Sequence, residues 1–72
     1  MSKVNTFLLN GEKYHMNTEH KITLSDLIHY FSYDKLLFVL EYNKLIYSKN
    51  DWKNIIIINN DEIELITIVG GG

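Results

Sequence analysis

Glu62-Ile63-Glu64-Leu65-Ile66-Thr67-Ile68-Val69 runs directly into Gly70-Gly71-Gly72, where the sequence ends. The first part alternates as a strand does, with Ile63, Leu65, Thr67 and Val69 on one face. Glu62, Glu64, Ile66 and Ile68 share the other face, which begins acidic and turns apolar towards the glycines. A terminal glycine carries its carboxylate with no side chain beside it, and the backbone behind it reaches conformations closed to other residues. Four residues from Val69 onward, fully extended, span roughly 13–14 Å. That length threads a carboxylate into a narrow site on another protein. The plain alternative is a frayed chain end.

The preceding residues supply a sheet for this strand to join. Val4 to Leu9 is rich in apolar and β-branched residues and reads as a strand. Asn10-Gly11 then gives the strongest short hairpin signal, because both turn positions accept positive φ. Lys13 to Thr18 alternates and returns as the second strand. Thr23 is a good helix N-cap with Asp26 at the capping-box position, and Ile22 and Leu27 occupy the two sites of a hydrophobic staple. Leu24, Leu27, Ile28 and Phe31 make one apolar helical face, which predicts a helix ending near Ser32 to Asp34.

Leu36 to Tyr42 is a nearly continuous apolar run and reads as a covered central strand. Asn43-Lys44 reads as a turn, and Leu45-Ile46 as a short strand. Asn50-Asp51-Trp52 reads as a brief helical turn capped by Asn50 or Asp51. Ile55 to Ile58 reads as a fourth short strand. Asn59-Asn60-Asp61 is a tight turn in which Asn tolerates the left-handed region. The order predicts an α+β fold, one helix packed on a mixed four- to five-stranded sheet in two layers. At this length that is a β-grasp, or ubiquitin-like, domain over residues 1–72 with a flexible tail at 69–72. Its first and last strands lie side by side in the middle.

Composition narrows the function. Seventy-two residues with 46% hydrophobic and 22% charged content make one small globular domain. The absence of cysteine excludes a disulfide framework, a thiolate metal site and a cysteine nucleophile. A net charge of −2 argues against a phosphate-binding surface. No apolar run approaches the ~20 residues that span a bilayer, and no signal-peptide core follows Met1, so a soluble protein is expected. All seven basic residues are Lys, and Ile and Asn are abundant. This codon usage points to an AT-rich genome, either a plastid, with the protein in the stroma, or a low-GC bacterium, with the protein in the cytoplasm.

His15, His20 and His29 show no metal-ligand spacing and read as surface or half-buried residues. Trp52 reads as a plug at one end of the core rather than an interaction hot spot. Asp61, Glu62 and Glu64 either present charge to a basic partner or form a solvated face. No phosphate loop, triad or carboxylate pair is present, so no enzyme activity is expected of the chain itself.

From Ile22 onward the sequence resembles the ThiS family of sulfur carrier proteins. The resemblance lies in Ile22-Thr23-Leu24-Ser25-Asp26-Leu27-Ile28, Phe38-Val39-Leu40-Glu41-Tyr42-Asn43-Lys44-Leu45-Ile46, Trp52, the Asn59-Asn60-Asp61 turn and the ending from Glu62 to Gly72. Lys44 stands in place of a turn glycine, Tyr47 in place of a proline, Ser48-Lys49 in place of a nearby basic residue, and Asn60 in place of glycine. The resemblance implies that a ThiF-like adenylating enzyme, using ATP and Mg, activates the carboxylate of Gly72. A sulfur donor such as a cysteine desulfurase then supports conversion to a thiocarboxylate, and a ThiG-like thiazole synthase receives the sulfur. Gly70 and Gly71 give the reach, no cofactor is bound by the carrier itself, and Ile66 and Ile68 are the expected docking residues. Rival readings are a molybdopterin synthase small subunit, a ubiquitin-related modifier and a plain β-grasp binding module.

Overall fold

The hairpin forms as the Asn-Gly signal predicts. In the computed structural model, which describes residues 4–17 and 19–68, strand β1 (Val4–Leu9) pairs antiparallel with β2 (Glu12–Asn17). Asn10 and Gly11 between them take φ of 52° and 82°, the type I′ pattern that follows the twist of the flanking strands. The second strand begins one residue earlier than expected, and Thr18 lies outside the described residues.

Helix α1 (Leu24–Tyr30) starts where the caps predict. The Thr23 hydroxyl accepts from the Asp26 amide at 3.1 Å, and the Asp26 carboxylate accepts from the Thr23 amide at 3.0 Å. Both halves of the capping box are therefore made. The helix stops before the predicted Ser32 to Asp34. Ser32 enters the left-handed region (φ 60°) and its amide closes on the His29 carbonyl. The reversal stacks Tyr33 on Phe31 at 5.8 Å and leads into a 3₁₀ turn at Tyr33–Lys35.

Strand β3 (Phe38–Tyr42) is shorter than the apolar run that announces it. The Leu36 amide is taken by the Tyr33 carbonyl in the 3₁₀ turn, and Leu36 and Leu37 are exposed. A second positive-φ turn at Asn43-Lys44 leads to β4 (Leu45–Tyr47). Trp52 lies in a 3₁₀ segment, Lys49–Asn54, preceded by Ser48 rather than capped by Asn50 or Asp51. The Ser48 carbonyl accepts from the Asp51 amide, and its hydroxyl donates to the Asp51 carboxylate.

Ile55 to Ile58 is not a strand. Its pairing reduces to one bridge, Thr23 with Ile56, made by bonds from the Leu24 amide to the Ile55 carbonyl and from the Ile57 amide to the Ile22 carbonyl. The ladder cannot grow because the helix begins at Leu24 on one side, and the Ile58 amide is claimed by Asp61 on the other.

Strand β5 (Glu62–Thr67) completes a five-stranded sheet in the order β2-β1-β5-β3-β4. It runs parallel to β1 and antiparallel to β3, so first and last strands meet in the centre as expected. Phe7, Leu9, Leu40 and Ile63 from the sheet pack against Leu24, Leu27 and Ile28 from the helix. Trp52 closes one end of this core, stacked on Phe38 at 5.2 Å, with its indole N–H donating to the Tyr47 carbonyl. The architecture is a β-grasp: the helix packs on one face of the sheet, and among the described residues no helix packs on the other, where Ile46, Ile66 and Ile68 are exposed.

Candidate functional site: the root of the glycine tail

The strand leading to the glycines is held along its length. At its start, the Glu62 amide donates to the Asn43 side chain at 2.8 Å, and the Asn43 amide donates to the Glu62 carbonyl at 2.7 Å. In the middle, the Leu65 amide donates to Asn10 Oδ1 at 2.8 Å. At the end, the Ile68 amide donates to the Leu37 carbonyl at 2.9 Å. Backbone order therefore extends to the last described residue. Val69 and the predicted site residues Gly70, Gly71 and Gly72 lie outside the described residues.

Asparagine serves this strand in two ways. Asn10, Asn43 and Asn60 occupy left-handed positions at low cost, with φ of 52°, 50° and 70°. The side chains of Asn10 and Asn43 then bond β5 amides that their turns leave without a backbone partner, and Asn59 does the same for Thr6 at 2.8 Å. Lys44, standing in the place of a turn glycine, also sits at positive φ (71°) and carries the strain of its Cβ there.

Asp61 does not present charge to a partner. It is buried, and its Oδ2 accepts from the Tyr42 hydroxyl at 2.6 Å and the Ile58 amide at 2.7 Å, while Oδ1 accepts from Asn43 Nδ2 at 3.1 Å. An acid at the end of a polar Asn-Asn-Asp turn reads as solvated in sequence. Two of its partners, Tyr42 at the end of β3 and Asn43 in the turn after it, are distant in sequence and invisible locally. Burial, then the bond to Asp61, pushes the Tyr42 hydroxyl well above the ordinary tyrosine range.

The alternation along β5 sorts its side chains as predicted. Ile63 is 1% exposed beneath the helix, whereas Glu62 and Glu64 face solvent and Ile66 and Ile68 are 48% and 49% exposed. Thr67 belongs to the helix-side face, yet it too is exposed, because it lies past the covered part of the sheet. Ile66 pairs with Val39 on β3, and Ile68 follows opposite Leu37. Leu37 is 71% exposed. The uncovered face therefore carries an apolar strip from two strands at the root of the tail, wider than the β5 pattern alone reveals.

The histidines do not converge. His15 is within hydrogen-bond distance of Thr6 at 3.1 Å, and His29 of Asp34 at 2.9 Å, both at the surface. Among the described residues no group of three His, Asp or Glu is placed to hold a metal, and no helix is long and apolar enough to cross a membrane.

The family model of the ThiS family matches residues 7–72. A protein of Trieres chinensis described as uncharacterized protein ycf40 is 49% identical over 72 residues, covering 100% of this chain and 96% of that protein. Among solved structures, the thiamine biosynthesis protein ThiS from Geobacter metallireducens matches with a TM-score of 0.78 at 15% identity. That match covers 93% of this chain and 99% of the other, and at such low identity it speaks for the fold.

Proposed function

The chain belongs to the ThiS family of ubiquitin-like sulfur carriers, and on that premise we propose that it carries sulfur on Gly72 for thiazole formation in thiamine biosynthesis. A carboxylate at neutral pH is a poor electrophile. A ThiF-like enzyme, using ATP and Mg, joins AMP to the Gly72 carboxylate and releases pyrophosphate. The acyl carbon then has a good leaving group, and a sulfur nucleophile, drawn from a donor such as a cysteine desulfurase, displaces AMP on the way to the thiocarboxylate. A ThiG-like thiazole synthase takes up that sulfur.

In this scheme the chain acts as a cosubstrate. It supplies no catalytic side chain and binds no cofactor of its own; its contribution is geometric. The observation that carries the reading is the anchored backbone of β5 and Ile68, held by the Leu37 carbonyl, from which the sequence runs on as Val69-Gly70-Gly71-Gly72. Ile66 and Ile68, exposed beside that exit, form the docking seat for the activating enzyme. The ycf40 name of the Trieres relative supports a plastid gene and work in the stroma.

Deletion of Gly72 tests the proposal. Loss of thiazole production, with the thermal unfolding of the domain unchanged, is the expected result. Thiazole synthesis that persists without Gly72 overturns it.

A further inference from the structure

The uncovered face of the sheet is divided by charge. Glu41 on β3 lies directly opposite Glu64 on β5, and Glu62 follows on the same face of β5. Like charges directly opposed across two strands destabilise a sheet. Among the described residues neither Glu41, Glu62 nor Glu64 forms an ion pair. Two lysines border these acids without an ion pair to them: Lys13, which faces Leu8 from β2, one strand beyond Glu62, and Lys44, next to the Asn43 that bonds Glu62. Directly beyond the acids come Val39 with Ile66, then Leu37 with Ile68. Ile46 on β4, 70% exposed, flanks Glu41 on the other side.

An apolar strip bordered by unpaired carboxylates fits a limited set of occupants. A second copy in a two-fold pairing would set acids against acids. A phosphate backbone or an anionic membrane would be repelled. No metal-holding cluster is present among the described residues. We propose that this face receives a basic protein surface, in which lysine or arginine side chains engage Glu41, Glu62 and Glu64 while an apolar patch covers Val39, Ile66 and Ile68. Resting on the carrier reading above, the occupant is the adenylating enzyme. The carboxylates orient the domain so that its tail points into the enzyme, and the uncompensated Glu41–Glu64 pair is retained for that purpose at the expense of stability.

The test is Glu64→Lys, with Glu41→Lys as a second variant and Lys13→Glu as a control on the same face. Association with the purified ThiF-like enzyme of the same host is followed by stopped flow from low to high salt. Each Glu→Lys variant should slow association about tenfold at low salt, with the difference fading as salt screens the field. Melting temperature should hold or rise, because Glu64→Lys turns a like-charge pair into an opposite-charge one. Association rates equal to wild type, or a wild-type rate indifferent to salt, overturn the inference. If those rates are equal while Gly72 still acquires sulfur, the carrier reading stands and only the basic-partner assignment falls. An unmodified Gly72 in active wild-type cells removes both.

Discussion

The Tyr42 hydroxyl lies 2.6 Å from Asp61 Oδ2, and this contact joins the end of β3 to the turn that launches β5. The same carboxylate oxygen holds the Ile58 amide at 2.7 Å, and Oδ1 holds Asn43 Nδ2 at 3.1 Å. Among the described residues no buried side-chain polar atom is left without a partner. Asp61→Ala takes the acceptor from three donors at once, leaving the Tyr42 hydroxyl only the longer 3.4 Å contact with the Ile56 carbonyl. It should cost about 3 kcal/mol of unfolding free energy, read from urea denaturation. A loss below about 0.5 kcal/mol, typical of a surface site, would contradict the role assigned here.

The same contact sets an alkaline limit. The Tyr42 pKa is raised in the fold, so the native state keeps the phenol neutral where the unfolded chain ionises. The associated stability is fully present below about pH 10, the unfolded tyrosine value, and is lost as pH climbs through the folded value. Tyr14 is shifted in the same direction, chiefly by its hydroxyl bond to Glu12, and so adds to the effect. Tyr42→Phe should flatten the decline in stability between pH 9 and pH 11, measured by denaturant titration at each pH. An unaltered slope would show that Tyr42 is not the group responsible.

The helix start and the core plug give two calibrated changes. Thr23→Ala removes the hydroxyl half of the capping box and should cost about 1 kcal/mol. Trp52→Ala empties the site stacked on Phe38 and should cost about 3–5 kcal/mol. In so small a domain that approaches the whole stability. Calorimetry should therefore show a modest drop in melting temperature for the first and loss of a cooperative transition for the second. Reversal of that order would mean that the core is held elsewhere.

Ile68→Asp separates docking from folding. Ile68 is half exposed, and its structural role is a backbone bond to Leu37, which the substitution retains. The domain should unfold as wild type does, while affinity for the activating enzyme falls about tenfold or more. Titration calorimetry against that enzyme decides the matter, and equal affinity would refute the docking seat.

The local signals named the elements whose partners are close in sequence. Asn10-Gly11 predicted the hairpin, and Thr23 with Asp26 predicted the helix start, because each device is complete within a few residues. Ile55 to Ile58 misled for the opposite reason. A β-branched run fits a strand, but a strand also needs a neighbour, and the one it meets among the described residues turns into α1 after Thr23. Leu36 and Leu37 misled similarly, since hydrophobicity does not reveal that the Leu36 amide is already spent in a turn. At the site, alternation alone predicted the exposure of Ile66 and Ile68. That Val39 and Leu37 widen the strip, and that Glu41 faces Glu64, depends on the β3–β5 register, which no single stretch contains.

Whether Gly72 becomes the sulfur-bearing group is read from mass spectrometry of the C-terminal peptide. The protein should be drawn from its native host during active thiamine synthesis and digested so that this peptide is isolated. Oxidation of Met1 or Met16 adds nearly the same mass as exchanging oxygen for sulfur, so the change must be placed on Gly72 by fragmentation. A fraction of chains should carry sulfur in place of one terminal carboxylate oxygen. An ordinary carboxylate on every chain, in cells that are making thiazole, would contradict it.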